Sequence, residues 1–150
     1  QKEIVEGFVN AADPARIVAQ ATIVDSAPTN GYYFAPTLFG GVDADDPLAQ
    51  DEIFGPVQVI IPFDTEEDAL RIANGTAYGL VASIWTLDGA RQMRMAKAVK
   101  AGQIFINNFG AGGGVELPFG GIGKSGFGRE KGFEALYGFS VLKTVATNHG

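Results

Sequence analysis

The chain has 150 residues, 46% of them apolar, which is enough for one domain or a large piece of one. Its net charge is −6 and its Lys and Arg are scattered, which excludes the basic face that nucleic acid requires. There is no cysteine, so disulfides, thiolate metal sites and a thiol nucleophile are all excluded within these residues, and no metal is expected. No apolar run approaches the ~18 residues of a membrane span, and the absence of cysteine fits a cytoplasmic protein.

Taken in chain order, residues 1–12 carry Ile4, Val5, Phe8 and Val9 at helical spacing, which predicts a helix. The chain opens on Gln1 rather than Met, without a capping residue, and reads as a cut piece of something longer. Residues 16–24 read as a strand, and 27–31 as a turn containing Pro28, Asn30 and Gly31. Residues 32–39 read as extended, with Pro36 placing them at an edge or bend. An acidic loop over 42–51 follows, with one helical turn after Pro47.

Residues 57–63 (VQVIIPF) predict a strand. Thr65 and the acids behind it predict the capped start of a helix that stops at Asn74-Gly75. Residues 80–86 predict another strand. Asp88 caps a helix running to about Lys100, with Gly102 just past its end where a left-handed residue is expected. Residues 103–107 predict a third strand. Alternating strand and helix over 57–107 predicts a parallel α/β unit with both faces covered. A long Gly-rich loop spans 108–128, and loops of that length inside a domain are usually functional. A short helix is expected at 129–137 and a closing strand at 139–147. The single histidine, His149, lies where a rigid supporting shell is not expected.

GIGKSG at 121–126 raises the question of a phosphate loop. A dinucleotide fingerprint must leave a strand and enter a helix directly, with an acid about 20 residues on to hold the ribose. Here the preceding strand ends near Asn107, and no acid follows Glu134. A nucleotide P-loop needs Gly five residues before Gly123, and that position is Pro118. Both readings are set aside. The glycines are better read as letting backbone pass close to backbone.

Two stretches carry a resemblance: DEIFGPV at 51–57 and PFGGIGKSGFGRE at 118–130. With GYYFAPTLF at 31–39, NGTAYGLVASIWT at 74–86, AGQIFIN at 101–107 and YGFSVLKTV at 137–145, the chain resembles the C-terminal part of the NAD(P)-dependent aldehyde dehydrogenases along its whole length. The resemblance implies an α/β fold: a parallel-sheet, three-layer portion of the catalytic domain over 1–138, then an oligomerisation strand and tail over 139–150. It implies that Glu52 holds the nicotinamide-ribose hydroxyls, since one carboxylate accepts from two vicinal hydroxyls. It implies that Phe54 packs near the nicotinamide, and that Phe119 lines the substrate tunnel. Read as residues alone, these three are an exposed acid, a turn phenylalanine and packing beneath a Gly-rich bend. Residues 109–116 (FGAGGGVE) sit where the family has a variable loop at the tunnel mouth, and they lack a larger aromatic anchor.

In that family a cysteine thiolate attacks the aldehyde, hydride passes to NAD(P)⁺, and water activated by a glutamate releases the acid. The resemblance therefore implies a segment that supplies cofactor and substrate contacts and a subunit-pairing strand at 139–147, with no catalytic residue of its own. No NAD or NADP is expected to bind these residues tightly, and a homo-oligomer is expected. The alternative is a free-standing oligomerisation or interaction module that has lost catalysis. The presence of Glu52 and Phe54 weighs against it.

Overall fold

The apolar spacing at the start of the chain produces a helix. In the computed structural model, which describes residues 1–110 and 114–150, α1 spans Lys2–Ala11 and buries Val5. Two compact units divide the chain, Gln1–Thr76 and Ala77–Gly150.

In the first unit, Asp13 accepts a hydrogen bond from Ala15 N at 2.9 Å and opens a short turn at Pro14–Arg16. Three strands follow: β1 (Ile17–Gln20), β2 (Thr37–Phe39) and β3 (Val57–Val59). β1 pairs antiparallel with β2, and β2 pairs parallel with β3 in the register Thr37↔Val57 and Phe39↔Val59. β2 is thus the central strand, so of the edge or bend expected from Pro36 the edge does not hold. Pro36 sits just before the strand, where its missing N–H interrupts no ladder, and its carbonyl accepts from Ala21 N at 2.9 Å.

Between β2 and β3 lies α2 (Pro47–Gln50), the helical turn expected after Pro47. Proline suits the first helical position because that N–H has no partner there. Asp46 caps the turn by accepting from Leu48 N at 2.8 Å, and its other oxygen accepts from Arg16 Nη2 at 2.9 Å. The Leu48 N–H and then the Arg16 guanidinium hold its carboxyl below the usual carboxylate range. Val5, Phe39, Val42, Leu48 and Ile53 form the core, with Phe39 fully buried. α3 (Glu66–Ala73) begins as expected, with Thr65 Oγ1 accepting from Asp68 N at 3.1 Å and three acids in the first turn.

In the second unit, β4 (Val81–Ile84) and β5 (Gln103–Ile106) pair parallel, joined by α4 (Gly89–Ala98). Asp88 caps α4 by accepting from Ala90 N at 2.9 Å and Arg91 N at 3.1 Å. The expected continuous parallel run over 57–107 is therefore two pairings, β3 with β2 and β4 with β5. An apolar strand pattern shows that a strand is covered, not which neighbour it takes. Gly102 is also corrected. The helix ends at Val99 in extended backbone, and Gly102 is not left-handed. A side chain there would land on the carbonyl of Gly120, so close approach of two backbones requires the glycine.

The last helix, α5, is shorter than expected and spans Glu134–Gly138. Residues 139–147 form no strand ladder. Phe139, Val141, Leu142 and Val145 are exposed. Their β-branched composition favours extended backbone, but a strand also needs a pairing edge. Among the described residues, no helix is long and apolar enough to cross a membrane, and no cluster of His, Asp and Glu is placed to hold a metal.

Candidate functional site

The loop at 51–56 is built from inside outward. Ile53 is 7% exposed and anchors the loop in the core. The amide Nε2 of Gln1 donates to Ile53 O at 2.8 Å and to Phe54 O at 3.0 Å, fastening the start of α1 to the loop. Val5 presses on Gly55, where an added Cβ would meet Val5 Cγ2 at 2.5 Å. Thr37 N donates to Pro56 O at 2.9 Å and ties the loop's end to β2.

With Ile53 turned inward, its neighbours Glu52 and Phe54 are left exposed, Phe54 at 76%. Phe54 has φ 53°, a left-handed conformation that costs a non-glycine residue on the order of 1–3 kcal/mol. That strain persists because the backbone on both sides is held. The result is an exposed carboxylate and an exposed aromatic ring two positions apart on a loop tied to α1, the core and β2. The chemistry of this pair fits a ribose and a flat ring: the carboxylate accepts from hydroxyls, and the phenyl offers a stacking face. Gly55 and Pro56 also border a cleft of about 470 Å³ with Ala19, Pro36, Leu38 and Gln58. No titratable side chain lines that cleft.

In the second unit the Gly-rich segment folds against the starts of β4 and β5. Ile122 N donates to Gly79 O, Lys124 N to Ala77 O, Ser125 N to Ile122 O, and Gly126 N to Gly123 O. A phosphate cradle needs such N–H groups free to point at the ligand. Here they are already engaged, and GIGKSG is a packing turn.

Phe119, half-buried, is held beside this turn. It exchanges both backbone hydrogen bonds with Glu130, each 2.6 Å, in an antiparallel bridge. Gln103 Nε2 donates to Pro118 O at 3.2 Å and fixes the preceding residue to β5. Lys131 Nζ lies 5.5 Å from the centroid of the Phe119 ring. Part of the variable loop expected at 109–116 lies outside the described residues.

The three residues singled out by motif thus fall in two places. Glu52 and Phe54 share one pinned loop in the first unit, and Phe119 lies in the second. Sequence reasoning missed Gln1, whose role depends on a contact 52 positions away.

The aldehyde dehydrogenase family model matches residues 1–145. The chain belongs to the aldehyde dehydrogenase family. A solved protein of Burkholderia cenocepacia, provisionally assigned as an aldehyde dehydrogenase, is 56% identical and superimposes with a TM-score of 0.91, covering 99% of this chain and 32% of that one. The Mycobacterium tuberculosis aldehyde dehydrogenase, solved in complex with NAD⁺, is 38% identical with a TM-score of 0.83, covering 92% of this chain and 28% of that one. The betaine aldehyde dehydrogenase of Rhizobium leguminosarum is 38% identical over 152 residues, covering 100% of this chain and 31% of the relative. The α/β fold is that of the aldehyde dehydrogenases, and the chain spans about a third of the length of these relatives.

Proposed function

We propose that these residues form part of an aldehyde dehydrogenase that oxidises an aldehyde to a carboxylic acid with NAD⁺ or NADP⁺. Glu52 accepts hydrogen bonds from the nicotinamide-ribose hydroxyls, and Phe54 packs beside the nicotinamide. Phe119 lines the path of the aldehyde. Residues 139–147 pair with another subunit, which would supply the edge they lack. When bound, the dinucleotide accepts the hydride. The thiol nucleophile cannot come from these 150 residues, which contain no cysteine, so within the enzyme they orient cofactor and substrate, and alone they do not turn over. A steady NADH-forming rate from the purified 150 residues would overturn that division of labour.

The observation that carries the reading is the pinned loop, which holds Phe54 in a strained conformation beside an exposed carboxylate. Backbone strain of this kind persists where a function requires it. The test is Glu52→Gln in the intact enzyme. It preserves the shape of the side chain and removes its charge. The KM for the dinucleotide should rise roughly ten- to a hundredfold, the worth of hydrogen bonds to a charged acceptor. The KM for the aldehyde should stay near its starting value. An unchanged dinucleotide KM would remove Glu52 from the site.

A further inference from the structure

Gln103 opens β5 and is buried, only 8% exposed. Its backbone is fixed in the sheet: it stands opposite Val81 in the β4–β5 ladder, and its N–H donates to Leu80 O at 3.1 Å. Its side chain crosses to the Gly-rich segment, where Nε2 donates to Pro118 O at 3.2 Å. A flipped amide would set oxygen against oxygen there, so the contact fixes which end faces Pro118. The other end, Oε1, is buried with no hydrogen-bond partner among the described residues. A buried amide oxygen left unpaired weakens a fold. An apolar side chain of the same length would fill the place without that penalty. Stability therefore does not account for glutamine at this position, and the donor end does.

Pro118 precedes Phe119, and much of what holds Phe119 belongs to its own loop. Phe119 exchanges two backbone hydrogen bonds with Glu130, and Arg129 Nη1 donates to Gly121 O at 3.0 Å. Arg129 and Glu130 lie on the return limb of that loop, beyond which the chain reverses through Lys131 (φ 61°) and Gly132 (φ 60°). Such bonds keep the two limbs together but let them swing as one. The tip of the loop is tied just ahead of β4, where Ile122 N donates to Gly79 O and Gly79 N donates to Ser125 Oγ. On the Phe119 side, the hydrogen bond from the sheet comes from Gln103.

We infer that Gln103 is a positioning residue: its amide sets where the Phe119 ring stands on the path of the aldehyde, and so how tightly the aldehyde is held. The inference rests on the reading of Phe119 as substrate-facing. A gap of roughly 0.5–1 Å already forfeits a quarter to a half of a dispersion contact, so a small drift of the ring is felt by the substrate. Glu52 and Phe54 stand on a different loop with its own ties, and dinucleotide binding should not share the effect.

The test uses the intact enzyme and whichever of butanal, betaine aldehyde and 4-oxobutanoate it turns over best. Gln103→Met keeps the length of the side chain and removes both the donor and the orphaned oxygen. The aldehyde KM should rise roughly two- to tenfold, the worth of one neutral hydrogen bond. The dinucleotide KM should change by less than about twofold, and the thermal midpoint should hold within about 2 °C or rise. A residue that served only the fold would lower the midpoint and disturb both constants together. Gln103→Asn keeps an amide but draws it back by one methylene. It should raise the aldehyde KM as the methionine variant does, and it serves if that variant folds poorly. Phe119→Ala completes a double-mutant cycle. It should raise the aldehyde KM by itself, and adding Gln103→Met should raise it no further, since the ring that Gln103 places is gone. Effects that multiply in the double variant, or an aldehyde KM unchanged by both Gln103 variants, would overturn the inference and leave the proposed function standing. An aldehyde KM unchanged by Phe119→Ala would instead remove Phe119 from the substrate path, and the inference with it.

Discussion

Phe39→Ala should cost the first unit about 3–5 kcal/mol, the usual loss for emptying an aromatic site in a core. Among the described residues Phe39 is the one large side chain with no exposure, on the central strand of its sheet, among Val5, Val42, Leu48 and Ile53. Whole domains are stable by only about 5–15 kcal/mol, so the loss removes a large share of the total. Urea unfolding should show the midpoint falling with little change in slope. The effect should also reach the proposed cofactor contacts, because Ile53 packs in the same cluster and carries Glu52 and Phe54 on either side. Dinucleotide affinity should fall even at temperatures where the variant remains folded. Phe39→Leu should retain most of both properties. A loss below ~1 kcal/mol for the alanine variant would mean that this cluster is not the core.

Gly102→Ala should be as damaging for a different reason. The new methyl would land on the backbone carbonyl of Gly120, with Gly121 close behind. A flexible side chain could swing away, but a backbone clamped by hydrogen bonds cannot. Gly102 N and Ile122 N both donate to Gly79 O at 3.0 Å, and Gln103 Nε2 holds Pro118 O. Relief requires parting the Gly-rich turn from β5, which breaks several of these bonds together. We expect a loss on the order of 3 kcal/mol, at the upper end of overpacking costs, and a raised aldehyde KM as Phe119 shifts. Gly89→Ala is the matched control. It opens α4 with nothing within 4 Å of the added methyl, and should be neutral or slightly stabilising. Equal behaviour of the two variants would show that residues 120–121 do not pack on Gly102.

Local chemistry made much of the fold legible. Thr65, Asp88 and Pro47 mark helix starts because a cap or a proline acts within three or four residues of itself. The strand partners were not legible, because they are chosen across long separations. β3 lies near β4 in sequence but pairs with β2, and β2, which Pro36 led us to expect at an edge or bend, is central in its sheet. Gly102 shows how one residue type can serve two needs. It sits where a helix-ending glycine belongs, yet what fixes it is the approach of Gly120.

The candidate site divides in the same way. Glu52, Phe54 and Phe119 were singled out only because they stand inside the motifs that carry the family resemblance. What holds them could not be read. The Gln1 amide meets the loop only after folding. The Lys131 ammonium reaches Phe119 only because the turn at 131–132 reverses.

The unpaired stretch at 139–147 has a consequence for the life of the protein in a cell. Proteases grip substrates in extended form, and cleavage concentrates where backbone is free of other partners. A solitary copy displays such a stretch, with Phe139, Val141, Leu142 and Val145 all accessible. A copy whose stretch is taken into a neighbour's sheet, as proposed above, would not. Turnover would then act as a census of assembly, clearing the copies that have not found a companion and sparing those that have.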